Sequence, residues 1–209
     1  MKPLHTFEIL GEVEHGCFRR SEGMIRVVQN LAYAKQVHGA DVIEVRPGEV
    51  GLVGEGDALI ISQPGQAVMV KHADCQAALF YDPVEKVAAA VHSGWRGSVQ
   101  NIYRVVVEHL RAAHRCRPEN LLVGISPSLG PQKAEFVNFR TELPEPFWEY
   151  QVRPNYFDFW EISRRQLEVA GLLPHHIEIA GICTYSNPDD WFSYRRDRTT
   201  DRNGTVIQL

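Results

Sequence analysis

The sequence predicts an α+β fold, on two observations. Strand-like apolar runs outnumber helical ones, and the two kinds are not interleaved as a doubly wound parallel sheet requires. The strand runs come first: TFEIL (6–10), CFRR (17–20), DVIEV (41–45), DALIIS (57–62), AVMVK (67–71), ALFYD (78–82) and VAAAVH (87–92). Pro-Gly, Gly-Glu-Gly and Asp-Pro turn chemistry separates them. Ser98 suits the N-cap of a first long helix, 98–115, whose apolar positions Ile102, Val105, Val106, Leu110 and Ala113 keep the helical period. LLVGIS (121–126) reads as a buried strand. A second helix is expected over 157–170, with Ile162, Leu167 and Val169 on its apolar positions and Gly171 as its C-cap. IEIAGICT (177–184) and TVIQL (205–209) are closing strands.

With 209 residues, 44% hydrophobic and 23% charged, the chain can bury one sizeable core. A formal charge of -4 gives no electrostatic footprint for nucleic acid. No apolar window is long enough to cross a bilayer, and the N-terminal MKPLHTFEILGEVEHG lacks a signal-peptide core, so a cytoplasmic location is expected. In that setting the four cysteines read as free thiols or metal ligands rather than two bridges. No internal repeat, low-complexity segment or linker-like shift divides the chain, so one domain over 1–209 is expected. Nothing in the sequence sets the oligomeric state, and a monomer is compatible with it.

The run from Val68 to Gly97 carries the chemistry. An Asp-Pro turn, Tyr81-Asp82-Pro83-Val84, joins two apolar runs that can pair, bringing Cys75 and His92 nearly opposite each other. A thiol and an imidazole side by side suit either a zinc site or a thiol nucleophile with its base. Upstream, His38 is followed by Gly39, which lets the backbone turn sharply and present the ring. Two histidines and a cysteine are a ligand set for catalytic zinc with one position open. Strand alternation sends His72 and Asp74 one way and Cys75 the other.

QVHGADV, GDALI, HADC, AVHSGWRG and GISPSLGP, in that order, resemble the laccase-domain family, whose members are labelled polyphenol oxidase, purine nucleoside phosphorylase or peptidoglycan editing factor. The resemblance runs from about His15 to the final strand. It implies a layered sandwich of mixed sheets flanked by helices, and a single catalytic domain. It also implies that His38, Cys75 and His92 bind Zn²⁺, and that the partners are a purine nucleoside and phosphate. Phosphorolysis, of adenosine above all, with deamination at the same site, is the chemistry it brings. Copper is less suited: a multicopper oxidase needs many histidines in His-x-His pairs, and the adjacent pair here is His175-His176. The chain departs from the family in a short segment, SEGMIRVVQNLAYAK, before QVHG, in His72 where threonine is usual, and in Ser126 where glycine is.

The surrounding residues divide into roles. Asp74 and His72 are candidates for proton transfer, Asp74 alternatively for orienting a bound imidazole. Arg96, at what is expected to be the start of the Ser98 helix, and Arg20, aligned with an arginine in the family's N-terminal motif, are the phosphate candidates. Ser126 resembles the turn closing one side of the family's site. Two rival readings stay open. One is a metal-free cysteine hydrolase, deamidase or peptidoglycan-precursor editing enzyme using Cys75 and His92; the other is a non-catalytic, zinc-stabilised partner protein.

Overall fold

A computed structural model describes residues 2–19 and 21–209. Its first half holds β1 (Glu14–Phe18), α1 (Ser21–Val27), β2 (Leu31–Lys35), β3 (Val42–Glu44), β4 (Gly51–Glu55), β5 (Ala58–Ile61), β6 (Ala67–His72), β7 (Gln76–Asp82) and β8 (Val87–Ser93). Then come α2 (Trp95–Val99), α3 (Ile102–His114), β9 (Leu122–Ile125), α4 (Phe139–Glu142), β10 (Gln151–Arg153), β11 (Tyr156–Phe157), α5 (Phe159–Val169), β12 (Ile177–Ile179), α6 (Tyr194–Asp197) and β13 (Asn203–Gln208). The α+β class is as the sequence predicts.

Among the described residues, two mixed sheets stack face to face. One runs β1-β13-β6-β2-β4, the other β12-β9-β7-β8-β5-β3. Strand alternation explains why both can be buried. In β7, Ala77 and Leu79 face the first sheet together with Leu59, Ile61, Ala88 and Ala90, meeting Val68, Val70 and Ile207. Ala78 and Phe80 face the other way, under Tyr103, Val106 and Leu110 of α3 and Leu167 of α5. The central strands therefore carry apolar residues on both faces and read as continuous apolar runs. Each fully buried Leu, Ile or Phe contributes about 1.5–3 kcal/mol. On the outer face of the first sheet, α1 lays Met24 over Leu31, Met69 and Val206. Among the described residues no helix is long and apolar enough to cross a membrane.

Several elements differ from the sequence reading. TFEIL is not a strand: Glu8–Leu10 is a 3-10 turn. Phe7 instead lies against Gly124 of β9, where a Cβ would overlap the ring, and Glu178 takes the Ile9 amide at 2.8 Å. The first long helix is broken in two. Gly94 precedes α2, and Asn101, at φ 53, caps α3 by accepting from the Arg104 amide. Ser98 is thus no N-cap; it is buried inside α2 with its amide on the Gly94 carbonyl. α5 starts two residues later than expected, because Asp158 caps it through the Glu161 amide. Val169 is 67% exposed and leaves the apolar face to Phe159, Ile162 and Leu167. Ala170 is the α5 C-cap, and Gly171, expected in that place, follows it at φ +103. α1, β2 and β4 were not anticipated.

Candidate metal centre

Three segments bring the donors together. β2 ends at Lys35, and Gln36 extends its pairing: the side-chain amide donates to the Lys71 carbonyl at 2.7 Å and accepts from the Lys71 amide at 2.8 Å. The chain then turns at His38, whose own φ of 61 makes the bend, rather than at Gly39. That left-handed conformation costs free energy for a residue with a Cβ. Asp57, at the entrance to β5, offsets it: its buried carboxylate accepts from the amides of Val37 (3.1 Å), His38 (3.1 Å) and Gly39 (2.8 Å). The same carboxylate takes His92 Nδ1 at 2.8 Å. One acidic side chain therefore fixes both histidine-bearing segments.

β7 and β8 pair Ala77 with His92 and Gln76 with Ser93, so Cys75 lies just beyond the strand, slipped two positions from the expected opposition. The turn is also displaced outward, to residues 83–86. The segment before Cys75 is a bend and not a strand, with Asp74 at φ 85, so simple alternation does not govern His72, Asp74 and Cys75. Even so, one donor atom each from His38, Cys75 and His92 lies within 4.8 Å of the others. The two rings meet edge to face, 4.9 Å between centroids. Gly94 keeps the space open: a Cβ there would sit 3.0 Å from Cys75 Sγ and 3.1 Å from His38 Cδ2.

Electrostatics couple the group. Burial pushes the Cys75 thiol up, but His92 and His38 beside it outweigh that and bring it below its ordinary value. Burial lowers His92, yet the Cys75 thiolate and Asp57 raise it overall. Burial also works against the Asp57 charge, and the His92 hydrogen bond with the loop amides still holds its carboxyl below the usual range. By contrast, burial pushes Cys17 and Cys116 up to about 12. Two imidazoles and an acidified thiol at this spacing, one ring braced by a carboxylate, fit a divalent metal with an open position.

The donors stand between two cavities. One, of about 320 Å³, is lined by His38, Asp74, Cys75, Trp95, Phe136 and Phe159, with Arg96, Arg195 and Arg198 at its charged side. The other, of about 640 Å³, is polar, with Lys71, His72, Thr200 and Arg202. The other expected residues distribute unevenly. Asp74 lines the aromatic cavity, but its oxygens already accept from Thr184 Oγ1 (2.7 Å) and the Arg195 amide (2.6 Å), and its carbonyl from Leu129 (2.9 Å). His72 is buried on the polar side, its Nε2 2.8 Å from Thr205 Oγ1, and burial brings it down to about 3. Arg96 lines the aromatic cavity with its guanidinium 4.2 Å over the Trp95 ring. The Ser98 amide, hydrogen-bonded within α2, is not free for an anion. Ser126 is buried, accepting from the Ala77 amide at 2.9 Å and so bracing β7 rather than lining the cavity. Arg20 lies outside the described residues. Sequence reasoning overlooked Asp57 as a bracing group, although a lone acid opening the apolar GDALI run was its signal. Phe136, Arg195 and Arg198, which line the aromatic cavity, gave none.

Residues 13–209 match the family described as multi-copper polyphenol oxidoreductase laccase. A protein of Shigella flexneri named purine nucleoside phosphorylase YfiH is 31% identical over 85% of this chain and 73% of its own length. A purine nucleoside phosphorylase of Xylella fastidiosa is 32% identical over 92% and 79%. The crystal structure of YlmD from Geobacillus stearothermophilus superposes with a TM-score of 0.79 at 27% identity, covering 90% of this chain and 76% of that one. Sequence and fold agree across nearly the whole chain, which belongs to the laccase-like family that carries this description.

Proposed function

We propose that the chain is a zinc-dependent purine nucleoside phosphorylase acting on adenosine above all, with inosine, guanosine and methylthioadenosine as further candidates and adenosine deamination as a side activity. One observation carries the reading: the His38, Cys75 and His92 donors converge, and two of them, His38 and Cys75, line an aromatic cavity with arginines at its edge while His92 faces the polar cavity behind. The phosphorylase names of relatives about 30% identical support it. Zinc suits two imidazoles and one thiolate with a fourth position open. Zinc held there supplies Lewis acidity and positive charge beside the cavity.

The chain's own groups do the rest. Trp95, Phe136 and Phe159 offer flat apolar surface for a purine. Arg96 orients phosphate by charge-assisted hydrogen bonds, with Arg20 as the second candidate. Asp57 holds the proton on His92 Nδ1 and so keeps Nε2 as the outward donor. Asp74, the proton-transfer candidate that lines the aromatic cavity, would first take a proton from solvent at an oxygen that now accepts from Thr184, and then pass it to the leaving purine. His72, neutral on the polar side, would act as an acceptor toward that cavity.

A second reading has a specific observation behind it. Cys75, His92 and Asp57 are ordered as nucleophile, base and orienting acid, with the thiol lowered and the imidazole raised. It gives His38 no task. The test is an adenosine incubation with zinc-replete protein, with and without phosphate, beside Cys75→Ala. Adenine and ribose-1-phosphate are expected to form in phosphate alone, inosine to appear slowly without it, and Cys75→Ala to lose zinc and activity together. If the variant keeps its zinc and loses activity, or no purine base forms at any phosphate level, the hydrolase reading replaces this one.

A further inference from the structure

Away from the His38–Cys75–His92 centre, the described residues hold a second convergence of metal-ligating groups. Glu44 closes β3, the edge strand of the six-stranded sheet. His109 and His114 stand near and at the end of α3, five residues apart, so their Cβ directions diverge by about 140° around the axis. Both rings nevertheless turn to one carboxylate oxygen: Glu44 Oε1 is 2.6 Å from His109 Nε2 and 2.7 Å from His114 Nε2. One donor atom from each of the three residues lies within 4.8 Å of the others.

We propose that Glu44, His109 and His114 form a second divalent-metal site, of zinc type, which ties the edge strand β3 to the end of α3. Two imidazole nitrogens and a carboxylate are a ligand set zinc accepts, and with neutral rings the group carries one negative charge toward a dication. Tetrahedral bonds of about 2.0–2.2 Å separate donors by roughly 3.3–3.5 Å, so the present contacts need to open by less than about 1 Å. The side chains are 33% (His109), 16% (His114) and 41% (Glu44) exposed, which admits an ion and leaves room for water in its fourth position. β3 follows the His38 turn almost directly, so the tie would also steady the strand leading out of the first centre. The Glu44–His109–His114 group stands apart from both cavities that the first centre faces.

Cobalt(II) and zinc titrations of chelator-treated full-length protein test it. Wild type should take up two equivalents, one of them giving a thiolate-to-cobalt charge-transfer band from Cys75. The double variant His109→Ala/His114→Ala should take up one, keep that band and keep nucleoside cleavage; the retained band shows that it is folded. Glu44→Gln should weaken the second equivalent at least tenfold. Cys75→Ala should keep one equivalent and lose the band. A single band-forming equivalent in wild type, or two equivalents persisting in the double variant, would overturn the second site and leave an ordinary surface ion pair. A single equivalent without a band in wild type, lost in the double variant, would support this site and count instead against the first centre.

Discussion

Asp57→Asn isolates what one buried carboxylate does for the centre. Oδ1 serves the His38 amide and His92 Nδ1, while Oδ2 serves the amides of Val37 and Gly39. An asparagine of the same shape must turn its NH₂ toward one of these pairs, setting donors against donors. Two hydrogen bonds to a charged acceptor are lost in either orientation, at about 1.5–3 kcal/mol each. The loss is therefore about 3–6 kcal/mol, a large part of a typical domain's stability. For a chain of this length it lowers Tm by roughly 6–24 °C. His92 also loses the partner that fixes its ring, so zinc affinity should fall on the order of 10- to 100-fold. Calorimetry of the metal-free protein reads the first effect, and competition against a chromophoric chelator reads the second. If Asp57→Asn melted with wild type and kept its zinc affinity, the claim that this carboxylate braces both histidines would be refuted.

Two further outcomes follow from the same geometry. Gly94→Ala adds a Cβ 3.0 Å from Cys75 Sγ and 3.1 Å from His38 Cδ2 at an ordinary φ of -75, so the effect is crowding and not backbone strain. It should weaken zinc on the order of tenfold in the same competition assay with little change in Tm, and unchanged affinity would mean that the donors are less confined than their positions imply. Arg96→Ala or Arg20→Ala should raise the phosphate requirement roughly ten- to hundredfold, the equivalent of about 1.5–3 kcal/mol, with zinc content unchanged and deamination largely spared. Steady-state kinetics across a phosphate series measure this, and equal loss of both activities would make that arginine structural or a nucleoside contact.

The sequence by itself determined the parts whose cause is local. Continuous apolar runs such as VAAAV and DALII, short and bounded by turn chemistry, read as strands buried on both faces, so the central strands were legible, as was the class they build. The His38, Cys75 and His92 set was legible because ordered motifs carried it, and the fold brings the three together. Where the chain turns depended on partners distant in sequence. TFEIL yields to a turn because Phe7 packs on Gly124 and Glu178 takes the Ile9 amide, and the His38 bend is held by the Asp57 carboxylate. The break between α2 and α3 is local, with Asn101 capping the Arg104 amide, but the apolar period running through 98–115 hides it. The cavity wall is the clearest case. Asp74 joins Leu129, Thr184 and Arg195, and Arg195 lies 121 positions away in the chain. No periodicity encodes such a meeting, because it results from two sheets and their connecting loops closing on one point. Motif resemblance named the three candidate ligands; tertiary packing decided which acid braces them, which arginines face the cavity, and that Ser126 and the Ser98 amide are spent on the framework.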